Sequence, residues 1–147
     1  MEILKKLIII IVVSLILHSA WEFLQCGIFY NMSSMSIVEP LMWQAIFGDV
    51  NMTILLFLLL TFIHGNDKWI LNKLNKVTYI IIFLYALALS FYFESSALYT
   101  KRWSYSEYMP LVLNTNIGLL PVIQLLVLFP LTFTISRFIL KKLKSGS

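Results

Sequence analysis

The sequence predicts an all-α membrane protein, a four-helix transmembrane bundle with both termini in the cytoplasm. Composition and hydropathy patterning predict it together. Hydrophobic residues fill 60% of the 147 positions and charged residues only 12%, against roughly 45–50% and about 25% in soluble domains. Too few charges exist to cover a solvated surface, and the mean hydropathy is +0.88. The apolar residues gather into four runs, near 7–30, 41–63, 77–99 and 111–139. Each run reaches the roughly 20 residues that cross a hydrocarbon core about 30 Å thick. The connections are short and polar, with no soluble domain, internal repeat or low-complexity tract. Residues 1–147 therefore read as one polytopic domain.

The first run has the outline of a signal peptide, with Lys5 and Lys6, then Leu7–Leu17, then Ser19-Ala20. His18 stands where cleavage needs a small side chain, and apolar character resumes through Phe23, Leu24, Ile28, Phe29 and Tyr30. A retained span is expected. Cys26 is the one cysteine, so no intrachain disulfide can form. The residue before it, Gln25, is too large for a lipoprotein signal, and Cys26 reads as a small apolar helix residue. The second run follows a break at Asn31–Pro40 that carries Ser33, Ser34, Ser36 and Glu39. Its Asn31-Met32-Ser33 triplet matches a glycosylation acceptor, a pattern common by chance. The third run follows His64–Lys76 and the fourth follows Thr100–Pro110. Pro121 and Pro130 remove backbone donors from the fourth run and are expected to kink it.

Lysine and arginine set the direction. Lys5, Lys6, Lys68, Lys73, Lys76, Arg137, Lys141, Lys142 and Lys144 fall on one side, leaving only Lys101 and Arg102 for the other. The first side is therefore cytoplasmic, and the host membrane is expected to be a bacterial inner membrane. Trp43, Trp69, Trp103, Tyr30, Tyr99, Tyr105 and Tyr108 fall where interfacial anchors belong. The basic residues suit anionic headgroups; they form no patch of the kind nucleic acid needs.

Three acidic residues lie within the runs: Glu22, Asp49 and Glu94. Each costs about 2.5–3.5 kcal/mol near a helix centre unless protonated, paired or hydrated. A rise of about 1.5 Å per residue puts Glu22 roughly 8 Å, Asp49 roughly 10 Å and Glu94 roughly 5 Å from the extracytoplasmic boundary. All three occupy one leaflet. Gln25, Asn114 and Asn116 accompany them, His18 and Gln124 sit nearer the midplane, and Arg102 stands at the rim. His18, Glu22 and Gln25 share one side of the first helix. Asp49 aligns with Thr53, and Ala45 and Gly48 are expected to let a neighbour approach. Ala86, Ser90, Glu94 and Ala97 form a stripe on the third helix; Asn114, Gly118, Pro121 and Leu125 form one on the fourth. Interhelical hydrogen bonds average about 0.6 kcal/mol, which makes carboxylates costly as packing devices. A functional polar cavity is the better account of the set. Asn51, opposite Asp49, reads as structural, and Gln44 as facing headgroups. The cytoplasmic halves are nearly all Ile, Leu, Val and Phe, which counts against a conduction path. His18 and Glu22 have a metal-binding spacing, but His64 is at the far end, so zinc is not expected. No nucleophile–base pair, phosphate loop or cofactor motif is visible.

Several of these residues carry resemblances. Trp21-Glu22, Gln25, Phe47-Gly48-Asp49-Val50, Glu94, Arg102-Trp103-Ser104-Tyr105, Met109-Pro110, Gly118-Leu119, Pro121 and Gln124 together resemble a group of small four-helix bacterial inner-membrane proteins. That likeness implies the fold and carries no activity. The layout of His18, Glu22, Glu94, an aromatic loop ending in proline, then Asn116 and Pro121 is similar to the EXPERA group. Sterol isomerases belong to that group, so the likeness implies a bundle around an apolar ligand with acids moving protons at an alkene. Arg102-Trp103-Ser104-Tyr105 followed by Gly118 and Gln124 also resembles membrane lycopene cyclases, with an amide where those carry acids.

Three functions fit. In the first, an enzyme acts on a lipid or isoprenoid entering from the outer leaflet. Glu22 and Glu94 are its acid/base pair, Asp49 an electrostatic partner and Arg102 a headgroup anchor. His18, Gln25, Trp103, Tyr105, Asn116 and Gln124 complete the ligand pocket. In the second, the chain is a non-catalytic subunit or assembly factor of a larger membrane complex. In the third it is a proton- or cation-coupled transporter, working as a homodimer because four helices enclose little volume.

Overall fold

The computed structural model describes residues 2–31 and 40–145. Ser33, Ser34, Ser36 and Glu39, and with Met32 most of the glycosylation-like triplet, lie outside the described residues. The apolar runs fold as α1 (Glu2–Phe29), α2 (Pro40–His64), α3 (Lys76–Tyr99) and α4 (Leu119–Ser145), with a 3₁₀ turn at Asp67–Leu71. Helices of 28, 25, 24 and 27 residues measure about 36–42 Å at about 1.5 Å per residue. All four are long and apolar enough to cross a membrane.

Local chemistry sets the helix ends. Pro40 opens α2 at a position where its missing N–H costs nothing. The Asn75 side chain caps α3 by accepting from the Thr78 N–H at 2.8 Å. The fourth helix starts at Leu119, eight residues later than expected, and Leu111–Gly118 turns back on itself instead. The Val112 N–H donates to Ile117 O at 2.8 Å and the Leu119 N–H to Pro110 O at 2.7 Å. Asn114 adopts φ 59° at the tip, a left-handed conformation that asparagine tolerates. Turn chemistry here overrides apolar composition. Asn114 and Gly118 consequently leave the helix face assigned to them, Asn116 lies outside the helix too, and Pro121 falls in the first turn of α4, where no donor is lost.

α1 packs on α2 and on α4, α3 packs on α4, and α2 and α3 scarcely meet. Among the described residues, the circuit α2–α1–α4–α3 is thus left open between its two ends. At the side of the bundle that holds the chain termini, apolar residues close the centre: Ile10, Phe57, Leu60, Ile82, Phe129 and Phe133. Trp69 of the 3₁₀ turn joins them. It stacks on His64 at 5.8 Å between centroids, meets Phe133 edge-on at 5.3 Å, and donates from Nε1 to Thr61 Oγ1 at 3.0 Å. Trp69 is therefore a buried plug and not an interfacial anchor, because the turn folds it inward.

The termini side is also less plain than its composition. Lys6 is buried and its Nζ lies 2.7 Å from Asp67 Oδ2. Ser14, Thr53, Thr78, Thr132 and Ser136 are buried as well. These residues are few among many leucines and isoleucines, yet Lys6, Ser14, His18, Glu22 and Cys26 fall at multiples of four residues, and all five are buried along a ridge that winds slowly around α1.

Removing one partner of a fully buried ion pair costs about 3–5 kcal/mol, and the Asp67 side chain is 21% exposed. Lys6→Met is therefore expected to lower unfolding stability by about 1–3 kcal/mol, read from melts of the detergent-solubilised protein. Asp67→Asn, which strands the buried ammonium, should cost at least as much.

Candidate functional site

On the opposite, distal side of the bundle, polar groups from three helices converge on Gln124 of α4. Its Nε2 donates to Glu22 Oε1 at 2.9 Å and to Asp49 Oδ2 at 2.7 Å, while Gln25 Nε2 donates to its Oε1 at 3.3 Å. An amide nitrogen carries two hydrogens, and the two carboxylates use both. His18 Nδ1, 3.3 Å from the same nitrogen, lies 3.0 Å from Asp49 Oδ2. With both amide hydrogens used, Nδ1–H donation to Asp49 is the assignment that gives Nδ1 a partner. It leaves His18 Nε2 buried without a partner. Below, Ser14 Oγ donates to Thr53 Oγ1 at 3.0 Å, and Thr53 Oγ1 donates to the Asp49 carbonyl at 2.8 Å. Glu22 takes a further hydrogen bond from the Cys26 thiol at 2.9 Å. Glu22 and Asp49 thus face each other across one nitrogen, which both accept from.

Glu94 stands apart, on α3. Tyr105 donates its phenol to Glu94 Oε2, and Trp103 Nε1 reaches the same oxygen at 3.3 Å. Both come from the connection between α3 and α4, which is tied to the end of α1. Tyr30 and Tyr105 form an antiparallel bridge, and the Asn31 N–H donates to Ser104 O at 3.0 Å. Tyr105 is held on its other side by Gly118, whose N–H donates to the phenol oxygen at 3.0 Å. A Cβ at Gly118 would stand 3.0 Å from Tyr105 Cζ and 2.9 Å from Met109 Sδ, so this approach requires glycine. Burial first, then the hydrogen bond to Glu94, push the Tyr105 phenol above its ordinary range, so it remains a donor.

Between α2 and α3 these groups border a cavity of about 210 Å³. Glu22, Asp49 and Gln124 form its floor, and Glu94, Arg102 and Trp103 its rim, with apolar walls from Met42, Met52, Phe93 and Leu125. Ala45 and Gly48 flank it, and a Cβ on Gly48 would meet nothing within 4 Å among the described residues. These small residues widen the space; they do not admit a neighbouring helix as expected. Arg102 donates to Gln44 Oε1 at 3.3 Å and lies over the Trp103 ring, 5.2 Å from its centroid.

The structure brings Glu22, Asp49, Glu94, Gln124, Arg102 and Trp103 to the cavity. His18 and Gln25 support the floor from behind, and Tyr105 acts through Glu94. Asn116 is exposed on the distal turn and does not line the cavity. Tyr30, Gln44 and Cys26 do line it. For Cys26 the available signal was its position four residues after Glu22.

Gly118→Ala is expected to displace Tyr105 and to loosen Glu94, visible as a changed Trp103 emission with the helical content retained. The Tyr105 phenol also sets a pH dependence. Above its unfolded value near 10.0, the unfolded chain loses the proton that the folded chain keeps, so stability falls as pH rises further. The fall should be shallower in Tyr105→Phe, measured by denaturation in detergent across alkaline pH. Compared with family models, with curated proteins and with solved structures, the chain matches none.

Proposed function

We propose that this protein draws the reactive end of a lipid or isoprenoid sideways from the bilayer into the α2–α3 cavity and moves a proton to or from it. The observation that carries this reading is that carboxylates from three separate helices border one cavity between two helices that scarcely touch. Three such groups cost several kcal/mol to keep in lipid, and hydroxyls or amides would pack the bundle with less penalty. The volume is below the roughly 300 Å³ at which pockets enclose whole drug-sized ligands. A chain whose remainder stays in the bilayer suits it better than a free solute.

In this reading Glu22 and Asp49, coupled through Gln124, are the proton donor and acceptor, with His18 orienting Asp49. Glu94, fixed by Tyr105 and Trp103, presents its charge at the rim, and Arg102 pairs with an anionic headgroup. The lysine-rich termini side is cytoplasmic by the charge rule, so the cavity opens in the outer leaflet of a bacterial inner membrane.

Purified wild-type protein incubated in D₂O with a bacterial lipid extract should place solvent deuterium at a carbon of one lipid. Glu22→Gln and Asp49→Asn should each remove that label, as read by mass spectrometry of the lipid extract. Glu94→Gln should weaken it. Lipid profiles and deuterium patterns indistinguishable between wild type and all three variants would refute the reading.

A further inference from the structure

The buried polar groups below the cavity do not belong to the site just described, and they follow a pattern. From the contact between Gln124 and Glu22, α1 and α4 descend towards the termini side together. Counting about 1.5 Å per residue, Thr132 lies about 12 Å and Ser136 about 18 Å below Gln124. The same steps on α1 reach Ser14 and Ile10, and α2 contributes Thr53 at the Ser14 level, where Ser14 Oγ meets it at 3.0 Å. One turn below Ile10 comes Lys6, paired with Asp67 at the bundle's surface. Each turn from cavity to surface therefore carries a polar group: His18, then Ser14 with Thr53 and Thr132, then Ser136, then Lys6 with Asp67. Gln124, Thr132 and Ser136 lie at multiples of four residues on the buried side of α4.

A second observation gives the pattern a purpose. The Thr132 and Ser136 hydroxyls and His18 Nε2 are buried and have no hydrogen-bond partner among the described residues, and all three residues are 0% exposed. A helical serine or threonine ordinarily satisfies its hydroxyl on the carbonyl four residues back; Thr53 does so and these two do not. Buried polar groups without protein partners are the sites at which proteins hold internal water.

We propose that this file of hydroxyls, bridged by internal water, conducts protons between the Lys6–Asp67 pair and His18 at the base of the cavity. A proton from the termini side joins a lone pair of one hydroxyl or water as that group passes its own hydrogen to the next. Nothing is gained or lost along the file. At the top His18 takes a proton on Nε2 and releases the one on Nδ1 to Asp49 Oδ2, then resets when its ring turns over. The groups facing His18 are Asp49 from α2, Glu22 from its own helix, and Gln124 and Phe129 from α4. The file stands whether or not the cavity's occupant is a substrate, because it needs only water and protons.

The test uses the full chain in liposomes loaded with a pH-sensitive dye, with a potassium gradient and valinomycin setting the membrane potential. Wild-type protein should acidify or alkalinise the lumen, with the sign of the potential, faster than protein-free liposomes. His18→Gln and the double variant Thr132→Val/Ser136→Ala should return the rate to the protein-free baseline. Thr132→Ser and Ser136→Thr, which keep the hydroxyls, should conduct as wild type does. Ser14→Ala and the two single removals are measured too, so failure of one variant to fold, checked by gel filtration, leaves others to decide. Flux no faster than in empty liposomes, or flux untouched by loss of the hydroxyls, would overturn the proposal. The assay contains no substrate, so its failure is separate from failure of the lipid chemistry.

Discussion

In hydrocarbon there is no water to satisfy a carboxylate, so every donor must come from the protein, and that requirement organises the distal half of this bundle. Gln124 meets most of it. One carboxamide, whose two hydrogens go to Glu22 and Asp49, ties α4 to α1 and α2 at once. Its carbonyl end, held by Gln25, fixes which way the amide points. Without that orientation an oxygen would face two carboxylates. The position of α4, and through it that of α3, therefore rests on an amide that is polar at both ends and held at both.

The incomplete circuit of helices follows from the same arrangement. Gln124 reaches Asp49 across the diagonal of the bundle, so α2 and α4 communicate through side chains while their backbones stay apart. The α2–α3 pair is left with little to hold it. Near the termini side Trp69 and its phenylalanine neighbours fill the resulting gap; towards the distal side small residues and polar groups leave it open. Packing density and chemistry thus divide the molecule in the same place.

Much of this is legible in the sequence, and what is not has physical reasons. The four helices follow from run length, and the burial of His18, Glu22, Gln25, Asp49 and Glu94 follows from helical spacing with the cost of charge in lipid. The start of α4 does not, because hydropathy cannot distinguish Leu111–Leu113 in a helix from the same residues in a turn governed by Pro110 and Asn114. Lys6 reads in the sequence as one of the flanking charges, since its partner Asp67 is distant in sequence and only the fold brings them together. Thr132 and Ser136 are inconspicuous for a related reason. A hydroxyl reads as neutral to slightly polar in any average over a span, and only its side of the helix gives it meaning. Asn116 lies away from the cavity because the chain turns where run length predicts a helix.

The Glu22 contact to Gln124 spans 102 positions of sequence, and this separation bears on how the protein is made. The first helix leaves the ribosome carrying a glutamate and a histidine whose partners lie in the second helix and the last. Until α4 emerges, Glu22 has no amide to accept from, and until the 3₁₀ turn emerges Lys6 has no counter-ion. Synthesis therefore passes through a period in which α1 holds polar groups that lipid cannot satisfy and its own helix satisfies only in part, through Cys26. Such a helix is best kept at the interface, or beside an insertion factor, until α4 has emerged. The fourth helix then enters as the piece that releases the first. For this chain, assembly order follows from which helix carries the amide.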